Sequence, residues 1–134
     1  MPTARNSAVC VANDRPRARP RAENDRHRRR IGKRPPVDAD WDAVFAACAR
    51  TGTALEIDAF PDRLDLPADL IRLALRHGAV FAIDTDSHAT RHLAHLRYGV
   101  ATAQRGWLTP DSVINTWPPG RLEEFLHEKR SPYR

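Results

Sequence analysis

At 134 residues with 41% hydrophobic side chains, the chain has room for one modest domain with a small core and not for two. Its formal net charge of +5 suggests a nucleic-acid binder until it is divided along the chain: residues 1–30 hold nine arginines against Asp14, Glu23 and Asp25, whereas residues 31–134 hold 13 basic and 14 acidic side chains. Two cysteines, Cys10 and Cys48, exclude a disulfide framework or a cysteine knuckle, and the absence of any apolar run near the roughly 18 residues of a membrane span or of a signal-peptide core points to a reducing cytoplasm.

Residues 1–30 contain no aromatic side chain and few large aliphatics, so they are expected to form a disordered basic tail. Arg, Pro and Ala make up 17 of those 30 residues. All three have GC-rich codons, so an out-of-frame reading of GC-rich DNA would give such a peptide. From Asp38 the pattern changes. Trp41, Val44, Phe45 and Cys48 recur at helical spacing, which predicts a helix ending near Gly52. Thr53–Asp58 reads as a strand. Residues 61–65 follow as a loop, and Pro67 at the first helical position predicts a second helix with Leu70, Ile71, Ala74 and Leu75 inward and Gly78 as its cap. Ala79–Ile83 is apolar throughout, as in a buried parallel strand. A third helix is predicted over His92–Gln104, a short one after Thr109-Pro110, and a last one around Leu122, Phe125 and Leu126. Alternating helices and strands give an α/β fold on parallel strands. Two strands are too few for a complete sheet, and no third is evident.

The polar cluster Asp84-Thr85-Asp86-Ser87-His88 directly follows the second strand. Asp86 and His88, at i and i+2, can converge beyond the carboxyl end of that strand, where α/β folds collect their functional groups. A carboxylate with an imidazole suits a divalent ion such as Mn²⁺ or Zn²⁺. The same spacing also suits a helix cap at Asp86 or Ser87 with His88 on the surface. His88, His92 and His95 fall at i, i+4 and i+7, which fits either a helical metal site or histidines on a solvent face. Glu56 can reach the same end of the sheet, or be a buried acid paired with an arginine.

Ala54–Leu66, reading ALEIDAFPDRLDL, resembles the "LEINxxPxRLDL" segment of the PHP domain of bacterial family X DNA polymerases, and Ile83–His88 resembles that domain's "INTDAH". Tyr98-Gly99-Val100, Arg105-Gly106-Trp107-Leu108 and Val113-Ile114-Asn115-Thr116-Trp117 follow in the order of its "GVxxARRGWL…VLNT" ending. The resemblance covers about 100 residues and implies the C-terminal fragment of a distorted (βα)7 barrel of parallel strands, with residues 31–134 as that portion. It further implies metal-dependent phosphoesterase activity, here the 3′-5′ exonuclease of a DNA-repair polymerase, on a cluster of about three metal ions that activate water and bind phosphate oxygens. Asp86 and His88 match the last ligand pair of that cluster. By the same resemblance Glu56, Asp58, Asp84, Lys33 and Arg34 stand where residues that support the metal ligands or touch the substrate would lie, and DNA is the implied partner.

The resemblance also marks what is missing. The "GRLxGRRPP" loop is matched by Arg30–Pro36, yet the His-Pro that should precede it is replaced by Asp25-Arg26-His27-Arg28-Arg29, and no His-x-His occurs in the chain. His27 lies near the lost ligand. Asp58 and Asp84 stand where the family usually has Asn. The expectation is a fragment that is inactive alone, binds metal weakly or not at all, and works only with a complementing N-terminal fragment. The alternatives are a non-functional gene remnant left by a frameshift or truncation, and non-specific nucleic-acid binding through the arginine-rich tail.

Overall fold

The computed structural model describes residues 38–130 and the two-residue strand β1, Val9–Cys10. The expected disorder of residues 1–30, apart from β1, lies outside the described residues, as do Lys33, Arg34 and His27.

Helix α1 spans Trp41–Thr51. Asp40 caps it, its carboxylate accepting the Ala43 N–H at 3.0 Å, and Gly52 ends it in the left-handed region at φ 61°. Strand β2, Ala54–Asp58, runs parallel to β3, Phe81–Asp84, with Leu55 opposite Phe81 and Asp58 opposite Asp84. Helix α2, Ala68–Arg76, connects them. Its cap is Pro67, one residue later than the sequence pattern placed it, and Gly78 follows its end at φ 80°. Beyond β3 come a 3-10 helix, Thr90–His95, helix α3, Leu96–Arg105, two short 3-10 turns and helix α4, Pro119–Arg130.

The sheet has three strands in the order β1-β2-β3, all parallel, which corrects the expectation of two. Val9 and Cys10 pair with Ala54 and Leu55, a contact too short to leave any periodicity in the sequence. The opposite edge is also occupied. Val113 makes a parallel bridge to Phe81, and the side-chain amide of Asn115 takes the place of a strand: its Nδ2 donates to the Ile83 carbonyl at 2.6 Å while its Oδ1 accepts the Ile83 N–H at 3.1 Å. Asn115→Ala should therefore cost about 1 kcal/mol of stability. Urea denaturation checks this, with Asn115→Gln predicted to fare no better because the longer side chain misplaces both groups.

Helices α1, α2 and α3 pack on one face of the sheet. Phe45 and Cys48 of α1, Ile71 and Ala74 of α2, and Ala103 of α3 enclose Leu55 and Ile57 of β2 and Phe81 and Ile83 of β3 in a single core. Trp41 stacks on Phe45, with ring centroids 5.5 Å apart, and closes one side of it. An Asp42–His77 contact of 2.8 Å ties α1 to the end of α2. Strand alternation turns Glu56, Asp58, Ala82 and Asp84 to the other face. A parallel layer is normally covered on both sides. Here Glu56, Ala82 and Asp84 are half-buried, so that face is partly open.

Candidate functional site

Four carboxylates gather at the carboxyl end of the sheet. Glu56 and Asp58 come from β2, Asp84 ends β3, and Asp86 lies two residues beyond. The in-register pairing of Asp58 with Asp84 brings these groups together, and alternation brings Glu56 to the same face. Burial, together with a hydrogen bond that the protonated Glu56 carboxyl donates to Asp84 and the charges of Asp84, Asp58 and Asp86, pushes the Glu56 carboxyl up to about 8. Asp58, 6% exposed, is also raised, by burial and by the neighbouring carboxylates, against a backbone hydrogen bond from Phe60 and the charge of Arg63.

Arg63 supplies the local counter-charge. Its guanidinium forms a close ion pair with Asp86 and a longer contact of 3.5 Å to Asp58. The loop 61–65 thus serves to fold a cation back over the ends of β2 and β3.

Two of these carboxylates, Asp58 and Asp84, have a definite local role. Asp58 Oδ1 accepts the Phe60 N–H at 2.8 Å, and Asp84 Oδ1 accepts the Asp86 N–H at 3.1 Å. Each closes an Asx turn, a task an asparagine oxygen performs equally well. The second turn helps to hold Asp86 at φ 44°, in the left-handed region. An asparagine at either position would keep the turn and remove one negative charge.

His88 is exposed, and its Nδ1 lies 2.6 Å from the Asp86 carbonyl oxygen. With the proton on Nδ1 donated to that carbonyl, Nε2 carries the free lone pair, the arrangement that commonly orients a ligating imidazole. Asp86, by contrast, is engaged by Arg63. Among the described residues no group of three or more His, Cys, Asp or Glu side chains is arranged to hold a metal ion. The donor types suit a divalent cation, but the described residues do not by themselves make a closed site for one.

His92 and His95 belong to a different arrangement. They lie in a 3-10 helix, where residues i and i+3 eclipse, so their rings stack 14° from parallel with centroids 5.4 Å apart. Phe60 meets both rings edge-on, at 5.3 and 5.1 Å. His92 Nδ1 accepts the His88 N–H at 3.2 Å, and burial followed by the charges of Arg91, His95 and His88 lowers the His92 pKa. His95 Nδ1 is buried with no hydrogen-bond partner among the described residues. The helical spacing read from the sequence assumed an α-helix over these residues, and the tighter 3-10 turn produces a stacked pair instead.

Sequence reasoning singled out Glu56, Asp58, Asp84, Asp86 and His88, and the structure places them at one end of the sheet. It did not identify Arg63 as their partner, since an arginine in a charged loop has no distinguishing local signal. Among the described residues no helix is long and apolar enough to cross a membrane.

No protein-family profile matches the chain. A stretch of 98 residues, 73% of the chain, is 35% identical to the DNA polymerase/3'-5' exonuclease PolX of Bacillus subtilis (strain 168). The chain is thus related to this family X polymerase/exonuclease, and it spans 17% of the length of that relative.

Proposed function

We propose that the chain is part of a metal-dependent phosphoesterase domain of the PHP type, contributing to 3′-5′ exonuclease action on DNA in the cytoplasm, and that it is inactive alone. The observation that carries this reading is the one-sided sheet: helices cover one face, while Glu56, Asp58 and Asp84 occupy the other and Asp86 and His88 follow at its carboxyl end. Parallel α/β folds place their chemistry at that end. Relation to a 3'-5' exonuclease supports DNA as the substrate.

Within such a domain Asp86 and His88 would be the donors this chain gives to a divalent centre, Mn²⁺ or Zn²⁺. When bound, such an ion polarises a phosphoryl oxygen and lowers the pKa of a water. Two donors do not close a site, so the remaining ones must come from elsewhere. The edges are partly taken, that of β2 at Ala54 and Leu55 by β1 and that of β3 at Phe81 and Ile83 by Val113 and Asn115. A complementing piece would therefore dock chiefly on the half-open face of the sheet.

The test is to mix the chain with the upstream remainder of the Bacillus subtilis relative, made separately, and to follow shortening of a 5′-labelled oligonucleotide with Mn²⁺. The chain alone should release nothing, the mixture should shorten the strand, and Asp86→Ala or His88→Ala should lower that rate at least about 100-fold. His92→Ala should leave it within about twofold, because His92 is committed to its stack with His95. Hydrolysis by the unassisted chain that survives both Asp86→Ala and His88→Ala would overturn the reading, as would a mixture that stays inactive.

A further inference from the structure

Beside the carboxylate site a cleft of about 570 Å³ is lined by Leu64, Tyr98, Ala101, Thr102, Gln104 and Arg105. Tyr98, Ala101, Thr102 and Arg105 recur at i, i+3, i+4 and i+7, so one face of α3 forms its wall. The opposing residue, Leu64, has φ 40° and directly follows Arg63, the side chain that holds Asp58 and Asp86. The cleft thus begins one residue from the carboxylate site.

Its chemistry is consistent along its length. Tyr98 offers an aromatic surface, and the Arg97 guanidinium lies 4.7 Å from its ring centroid and donates to its hydroxyl at 2.7 Å. Arg105 contacts Thr102 Oγ1 at 3.5 Å, which settles its side chain against the helix. Gln104 adds an amide that can both donate and accept. None of the six lining residues is acidic. An aromatic ring, the Arg105 guanidinium and an amide in the lining, with the Arg97 guanidinium against the Tyr98 ring and no carboxylate among the lining residues, complement a nucleotide: a flat base, its polar edge and its phosphates.

We propose that this cleft seats one nucleotide of a single-stranded DNA, its base on Tyr98 and its phosphates near Arg97 and Arg105. The inference rests on the phosphoesterase reading of the neighbouring site and names the residues that position its substrate. Tyr98 is a positioning residue and takes no part in bond breaking. The cleft would hold the strand so that the adjoining phosphodiester lies toward Arg63 and the carboxylates.

The experiment measures binding of the full chain to a fluorescein-labelled oligothymidylate of about eight nucleotides, to the same strand with abasic sugars, and to an oligouridylate. Any phosphate binding by residues 1–30 would be common to all three probes, so it cancels when a variant is compared across probes. Tyr98→Ala should weaken binding to the thymidine strand about tenfold and leave the abasic strand unchanged. Tyr98→Phe, which keeps the stacking face, should stay within about twofold. Ala101→Glu places a carboxylate in the cleft at an exposed helical position that tolerates it, and should weaken binding to every probe. Circular dichroism confirms that each variant keeps its helices.

The proposal is overturned if the wild-type chain binds none of the probes, if Tyr98→Ala loses as much on the abasic strand as on the thymidine strand, or if Ala101→Glu binds as well as wild type. Tighter binding of oligouridylate than of oligothymidylate overturns the assignment to DNA. Tyr98-dependent binding without hydrolysis in the complemented mixture would retain the subsite and refute the phosphoesterase reading. Hydrolysis in the mixture with binding indifferent to Tyr98 would do the reverse.

Discussion

Gly99→Ala is expected to destabilise the chain by about 3 kcal/mol, the upper end for a methyl forced into a packed core. A Cβ at this position would lie 2.6 Å from Ile83 Cγ2 and 2.8 Å from Ala59 Cβ. Helix α3 meets β2 and β3 here, and the missing side chain lets its backbone approach the strands that carry the carboxylates. Neither neighbour can move freely: Ile83 belongs to the core, and its backbone is held by Asn115. Gly106→Ala should cost a similar amount, because its Cβ would fall 2.3 Å from Ile71 Cγ2, where the end of α3 crosses α2. Gly120→Ala is the control. A Cβ there meets nothing within 4 Å, and the helical position should gain a few tenths of a kcal/mol. Urea denaturation of the three variants tests the packing directly. Equal midpoints for Gly99→Ala and Gly120→Ala would show that α3 does not sit as tightly on the sheet as described.

The chain should lose stability as pH rises from about 4.5 to about 8. Glu56 is raised from 4.5 to about 8 in the folded state by burial and by its carboxylate neighbours. A folded state that holds this proton more firmly than the unfolded chain is favoured at low pH, and the advantage disappears as pH passes through the folded pKa. Because the group is partly exposed, roughly half the nominal effect is lost to solvent screening, leaving on the order of 2 kcal/mol. Asp58 shifts in the same direction. His92, whose pKa is lowered, works oppositely below its ordinary value of 6.5, so the interval from 6.5 to 8 isolates the carboxylates. Glu56→Gln should flatten the profile there and make the protein more stable than wild type at pH 8. Stability that climbs between pH 6.5 and 8 would refute the crowding of these acids.

Much of the element order was legible because it rests on local rules. The spacing of Trp41, Val44, Phe45 and Cys48, with Gly52 after, is sufficient to orient and end α1, while its cap at Asp40 emerged with the structure. Pro67 and Gly78 bracket α2 in the same way, and the unbroken apolar run before Asp84 marks a strand covered by helices. The candidate carboxylates and His88 were also visible, since residues that follow a buried parallel strand emerge at its carboxyl end whatever surrounds them.

The chain by itself therefore determined which segments are helices and strands, that the strands run parallel, and which acids stand at their ends. The tertiary structure alone decided how those acids affect one another, with burial and its neighbours raising the Glu56 pKa and Arg63 folding back from the loop after β2. It alone decided that His92 and His95 stack on each other with Phe60 edge-on to both, that an asparagine closes the edge of β3, and that Tyr98 lines a cleft. The division has a physical cause. Helix caps and strand patterns depend on neighbours within a few residues, whereas counter-charges, edge closure and clefts join residues such as Arg63 and Asp86, or Ile83 and Asn115, that are far apart in the chain and meet only once the core has set the register of the strands and the seat of α3.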